Sequence, residues 1–184
     1  MRIFEKAGEH NTEETLEIAA DEAVRRDIPL VVASTRGETA RRALAVIAGM
    51  NVRLIVVTHN TGFDEPGAQQ LDEAVRAELE AAGATVHTGT LPLRGTGSAI
   101  RKRFGGSEEE LVASALRIIC QGAKVIVEMA AMVADAGLVP TDRDIVAVAG
   151  TSKGADTAAV VAPMPSNRLL DIKVRELLCK PGDF

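Results

Sequence analysis

Two segments of the chain concentrate the residue types that hold anions. The first, Ser34-Thr35-Arg36-Gly37-Glu38-Thr39-Ala40-Arg41, follows the apolar run Ile28 to Ala33 and precedes Ala40, Ala43, Leu44 and Ile47 at helical spacing. A strand-to-helix junction aims unpaired N–H groups and the positive helix end at one point, here surrounded by hydroxyls, a glycine and arginines. Phosphate is the simplest anion for such a loop and the reading adopted, the competing one being an ordinary helix cap by Ser34 or Thr35. The second segment, Gly150-Thr151-Ser152-Lys153-Gly154-Ala155-Asp156-Thr157, repeats this chemistry after the apolar run Asp144 to Ala149. Its competing reading is a glycine-rich turn with a solvated lysine. Ligands of open parallel sheets bind beyond the strands' carboxyl ends where strand order reverses, so both loops are expected to face one crevice.

A third segment, Thr58-His59-Asn60-Thr61-Gly62-Phe63, ends the apolar run Val52 to Val57 on the same expected edge. His59, Asn60 and Thr61 would hydrogen-bond a heterocycle or a ribityl-like chain, with Phe63 covering it. An Asn-rich turn with a packing Phe accounts for the same residues.

Other chemistries are excluded by spacing. Gly150 to Gly154 matches a nucleophile elbow around Ser152, but His10, His59 and His87 all precede Ser152, whereas that fold places its His afterwards. Neither a Walker phosphate loop nor a dinucleotide fingerprint is present, Gly95-Thr96-Gly97 lacking a third glycine. No His and carboxylate spacing resembles a metal site. Arg101, Lys102 and Arg103 before Gly105-Gly106 read as a solvated helix face or helix end, and Glu128 needs a buried partner or a cavity to face.

The chain has 184 residues, with 21 basic against 26 acidic side chains and a net charge of -5, which disfavours a general grip on nucleic acid or an anionic membrane. Phe4, Phe63, Phe104 and Phe184 are its only aromatics, too few for a single-stranded nucleic-acid platform. Cys120 and Cys179 stand alone and no apolar signal core opens the chain, so a reducing, cytoplasmic context is expected. The most apolar window, residues 123 to 139, contains Lys124, Glu128 and Asp135, so no membrane span is expected.

The elements that must position these loops alternate. After a surface arm, a helix is expected over residues 12 to 26, opened by a capping box of Asn11 and Glu14. Strands are expected over Ile28 to Ala33 and Val52 to Val57, a helix over residues 67 to 82, and a weaker strand at Ala84 to His87. Ser107 and Glu110 open a helix running to about Gly122. Residues 123 to 136 suit either a strand or, by their length and Gly137, a buried helix, which we adopt. Asp144 to Ala149 is a buried strand, Ala158 to Ala162 an apolar stretch, and Ile172 and Val174 mark an alternating edge strand through which the chain would self-associate. Strands alternating with amphipathic helices imply an α/β domain with a mainly parallel sheet. No linker interrupts it, so residues 1 to 184 are taken as one domain.

Leu30 to Arg41, followed by Arg53 to Thr58, resembles the C-terminal α/β domain of pyruvate kinase, where a strand, a Ser/Thr-Gly loop and a helix precede a strand ending in Thr. Asp144 to Thr157 resembles that domain's later strand and glycine-rich loop, while residues 64 to 140 match poorly. The whole chain resembles more closely the stand-alone archaeal and bacterial proteins of this type, through Gly105-Gly106, the Gly122 to Gly137 segment with Glu128, and the Gly150 to Thr157 loop. The resemblance implies a three-layer αβα fold with a mixed, mostly parallel five-stranded sheet whose last strand is antiparallel. It implies loops that hold phosphate and flavin mononucleotide (FMN) as ligand. The binding residues carried over are Ser34, Thr35, Arg36, Gly37, Glu38 and Thr39, then Thr58, His59, Asn60, Gly62 and Phe63, then Gly150, Thr151, Lys153, Gly154, Asp156 and Thr157. No reaction comes with it, because pyruvate kinase chemistry belongs to a barrel domain that this chain is too short to contain. A flavin-dependent oxidoreductase and a non-catalytic sensor or regulatory module for a phosphorylated metabolite are the two functions left open.

Overall fold

The computed structural model describes residues 1–184. Its elements run β1 (Arg2–Lys6), α1 (Thr12–Arg26), β2 (Leu30–Ala33), α2 (Glu38–Val46), β3 (Leu54–Thr58), α3 (Glu73–Ala81), β4 (Thr85–Thr88), α4 (Gly95–Phe104), α5 (Glu108–Arg117), α6 (Gln121–Asp135), β5 (Ile145–Ala149), β6 (Thr157–Ala162) and β7 (Lys173–Asp183). The strands form one mixed sheet in the order β1-β7-β6-β5-β2-β3-β4.

Strand alternation divides the core between the two faces of this sheet. Leu30, Val32, Val56, Val146 and Val148 pack with Leu16, Ala19, Ala40 and Leu79 of the first three helices. Val31, Ile55, Ile145 and Ala147 face Ile126, Met129, Ala130 and Val133 of α6 on the other side. Small residues let the layers approach closely. Because β2 and β5 are covered on both faces, they read as continuous apolar runs, and both were legible as such. The segment 123 to 136 is helical, as adopted above; its Lys124 and Glu128 pair one helical turn apart, whereas a strand would hold residues i and i+4 about 13 Å apart.

Several expectations are corrected. The sheet has seven strands, not five. The residues before α1 are not a surface arm: β1 pairs parallel with β7, Phe4 opposite Pro181. Only Phe4 of that strand is buried, so one apolar residue carried no periodicity to read. Nor is the last strand antiparallel to the bulk of the sheet. The antiparallel strand is β6, opposed to both β5 and β7, while β7 runs with β1. With a neighbour on each side, β7 is no edge, which removes the edge-pairing argument for self-association. Helix α3 begins at Glu73, where the Asp72 side chain accepts from Ala74 N–H at 2.8 Å, rather than at residue 67. Asn11 makes no capping box, since its amide donates to the carbonyls of Lys6 and Gly8. The Ser107 cap forms as expected, but its helix stops at Arg117, because Cys120 is extended and its sulfur accepts from Ala123 N–H to start α6.

The strand order places the loops. In β2, Val32 lies level with Val148 of β5 and Val56 of β3, all parallel, so three carboxyl ends finish side by side. From β2 the chain moves laterally to β3, and from β5 in the opposite direction to β6. That divergence opens a crevice between adjacent strand ends.

Phe4, 2% exposed within the core, tests the placement of β1. Phe4→Ala should lower unfolding free energy by about 3–5 kcal/mol, read by urea denaturation. A solvated arm would leave the midpoint unmoved.

Candidate functional site

The crevice is a cavity of about 570 Å³, within the range of roughly 300–1,000 Å³ usual for small-molecule sites. Helix α2 supplies its anion corner. Gly37 caps that helix at φ 99°, and a Cβ there would lie 2.5 Å from Val75 Cγ1, so the turn needs glycine. Ser34 Oγ accepts from Ala40 N–H and Gly37 O from Arg41 N–H, while the N–H groups of Gly37, Glu38 and Thr39 have no protein acceptor. Ser34 is therefore a cap within the loop, and three donors of the helix end stay free for a ligand.

The Gly150 to Gly154 loop forms the opposite wall. Asp156, fully buried, accepts from Gly8 N–H at 3.0 Å, Thr151 N–H at 3.1 Å and the Thr157 hydroxyl at 2.8 Å. Ala155 N–H donates to Thr12 Oγ1 at 3.0 Å, locking the loop onto α1. Gly154, at φ 69°, lies so close to α1 that a Cβ would fall 2.2 Å from Thr12 Oγ1. Ser152 holds a left-handed φ of 64°, and the N–H groups of Ser152 and Gly154 find no protein acceptor.

Arg36, Arg42, Arg94 and Lys153 line the cavity against the carboxylates of Glu9 and Glu38. Glu9 is already paired with Arg42 at 3.3 Å. Neither Arg36 nor Lys153 has an ion-pair partner, so the local field is positive although the chain is acidic.

At the β3 end the rings of His59 and Phe63 stack with centroids 3.7 Å apart and planes 16° from parallel. The Arg94 guanidinium lies over the Phe63 ring at 4.1 Å. Two flat groups at stacking distance from one ring centre occupy its two faces, so Phe63 offers a ligand its edge. His59 Nδ1 donates to Gln70 Oε1 at 2.6 Å, and Gln70 in turn donates to Asp64. Burial pushes His59 below its ordinary pKa, and Arg94 pushes the same way against the hydrogen bond His59 donates to Gln70 and the charges of Asp64 and Glu128. A neutral ring with Nδ1 protonated leaves Nε2 as an acceptor.

Of the residues expected to bind ligand, Ser34, Thr35, Arg36, Glu38, Thr39, His59, Phe63, Gly150, Lys153 and Gly154 line this one cavity. Thr58 lines an adjoining smaller pocket. The others stand outside both linings. Gly37 and Gly62 shape turns at positive φ, Thr151 and Asp156 brace the loop from within, and Thr157 is buried in β6. Asn60, expected to meet a ring, turns its amide to the carbonyl of Thr61. Its place is taken by Gln70 and Arg94, which the sequence reading missed, along with Glu9, Arg42, Gln121 and Val125. Arg94 carried no local signal. Gln121 and Val125 are four apart, one turn of α6, which begins at Gln121 and so crosses the boundary expected near Gly122, and only its packing brings them to the crevice. No protein-family model matches the chain.

Because His59 is held below its ordinary value of 6.5, the unfolded chain binds more protons just under that pH, and this group's stabilisation is lost as pH falls from about 6.5 through the folded pKa. In an NMR titration the His59 ring should show a midpoint below 6.5, and Arg94→Gln should raise it. A midpoint at or above 6.5 would contradict the burial argument.

Proposed function

We propose that the crevice binds a phosphorylated small molecule, with FMN as the ligand suggested by the resemblance to pyruvate kinase α/β domain proteins. The observation that carries this reading is the convergence of two loops on one cavity. Glu38 and Thr39, whose N–H groups are free, and the unpaired Arg36 line the same cavity as Ser152 and Gly154, whose N–H groups are also free, and Lys153. Such a set meets the several acceptor oxygens of a phosphate, and charge-assisted bonds there are about twice as strong as neutral ones.

The donor set fits a ribityl phosphate. Phosphate would sit between the two loops, with hydroxyls along Thr35, Thr39 and Gln70 and the ring directed toward His59 and Arg94. The stacking surface for the ring is Arg94 or the free face of His59, rather than Phe63, whose faces are taken. The carboxylates of Glu9 and Glu38 lie on the α1 and α2 side, and the neutral His59 and cationic Arg94 would tolerate a reduced, anionic ring. A bound flavin would supply hydride or electron transfer, and the chain's residues would hold and orient it.

One feature favours the regulatory alternative. Ala33, Phe63 and Val125 are the only apolar side chains lining the main cavity, a largely polar lining that suits a phosphorylated sugar better than the apolar ring of a flavin.

Both are tested by titrating FMN and riboflavin, followed by flavin fluorescence. FMN should bind more tightly than riboflavin, and Arg36→Ala should weaken FMN by roughly 1.5–3 kcal/mol while leaving riboflavin unchanged. Phe63→Ala, which releases both His59 and Arg94, should weaken both flavins. Failure of either flavin to bind, with a sugar phosphate binding in an Arg36-dependent manner, would establish the regulatory reading. Equal affinity of wild type and Arg36→Ala for every phosphorylated ligand would remove the phosphate site.

A further inference from the structure

Beneath the His59–Phe63–Arg94 stack the crevice continues into a second pocket of about 100 Å³, bounded by α6 and the β4–α4 connection. The two share Thr35, His59, Arg94, Gln121 and Val125, so the inner one opens into the outer. Two charged side chains line it while almost wholly buried, Lys124 at 5% and Glu128 at 4% exposure, and they form an ion pair. Glu128 Oε1 also accepts from Leu93 N–H at 2.9 Å. Glu128 thus ties the connection to α6 and carries the adjacent Arg94 to its position over Phe63.

The hydrogen-bonding capacity of this pocket is one-sided. Lys124 has three N–H bonds and one protein acceptor. The Arg94 guanidinium stacks on Phe63 without a hydrogen bond to any protein group, and Gln121 uses its oxygen, toward Arg117 Nε at 2.9 Å, but not its amino group. Most acceptors, in contrast, are engaged, namely both Glu128 oxygens and the Thr58 hydroxyl, which meets His59 O at 2.9 Å and Thr88 Oγ1 at 2.7 Å, so that His59 Nε2 is the one side-chain nitrogen acceptor left at the mouth. Leu91, Met129 and Met132 form an apolar floor. Surplus donors at the mouth and an apolar floor match one ligand class. A buried ammonium with two unanswered protons is costly unless something accepts them.

We propose that this inner pocket binds a short-chain organic carboxylate, its oxygens on Lys124, Arg94 and Gln121 and its chain against Met129 and Met132. At about 100 Å³, roughly three times water's share of liquid volume of about 30 Å³, and open toward the outer cavity, the pocket admits a small acid but not a flavin ring or a sugar phosphate. Inorganic phosphate would leave the floor unmatched. The inference concerns the same crevice as the phosphate reading, but its donors line the inner end. It makes the site one for two ligands side by side, a small acid beneath whatever occupies the outer cavity.

The test uses butyrate, which carries neither phosphate nor ring, on protein with 13C-labelled methionine methyl groups. Butyrate should bind saturably and give cross-relaxation from its methyl to Met129 and Met132, while butyramide, a neutral isostere, should not bind. Arg94→Gln, at an exposed position, should weaken butyrate about tenfold, one charge-assisted contact being worth roughly 1.4 kcal/mol or more. Lys124→Met should weaken it at least as much; if that variant is unfolded, Gln121→Leu replaces it. Absence of contact to the two methionines, equal binding of butyramide, or displacement of butyrate by equimolar inorganic phosphate would each overturn the inference. Flavin and sugar-phosphate titrations that fail while butyrate binds would remove the outer reading alone, and the converse would remove only this one.

Discussion

The shape of the crevice depends on a buried carboxylate that has no cation. Asp156 accepts three hydrogen bonds, from the turn after β1, from the turn after β5 and from the start of β6. A carboxylate away from water needs such partners, and three donors answer it without an ammonium or guanidinium. The consequence is geometric. The loop after β5 cannot relax outward while Gly8 and Thr151 both point at one side chain, and Thr12 and Gly154 complete the clamp at van der Waals contact. With the N-terminal turn and this loop locked together, Glu9 and Lys153 are fixed on one wall of the cavity.

A second constraint acts at the far end. Arg94 follows the buried Leu91 and Leu93 in the β4–α4 connection, and it reaches the ring of Phe63 with Glu128 holding the backbone of Leu93. Glu128 can be buried there only because Lys124 lies one helical turn before it. The ion pair, the connection and the aromatic stack are thus one chain of dependence from the core of α6 to the surface of the cavity. His59 at its end stays neutral by burial and by the charge of Arg94, which suits it to accept a hydrogen bond from a ligand.

These two anchors have opposite chemistry and sit at opposite ends of one sheet edge. Asp156 itself has its charge answered by three protein donors. Near Lys124 and at the first turn of α2, donors are left over. A crevice lined by cationic and backbone donors without protein partners has hydrogen-bonding capacity to spare for acceptor oxygens.

The runs at β2, β3 and β5 were legible because strands buried on both faces must be apolar throughout, and the loops after them were legible because Gly, Ser, Thr and basic residues punctuate those runs. Glu128 also announced itself as a buried charge in need of a partner. What local sequence determined, then, was the α/β class and the stretches of chain that could hold an anion. Only the tertiary structure decided the seven-stranded order, in which Phe4 alone seats β1 beside β7, since pairing between chain ends leaves no local periodicity. It likewise decided which side chains face the crevice. Asn60 turns back on its own turn, whereas Arg94 and Gln121, unremarkable in sequence, are carried in by a backbone tether and by the rotation of a packed helix. A residue's type states what it can bind, but its direction is set by contacts made far away along the chain.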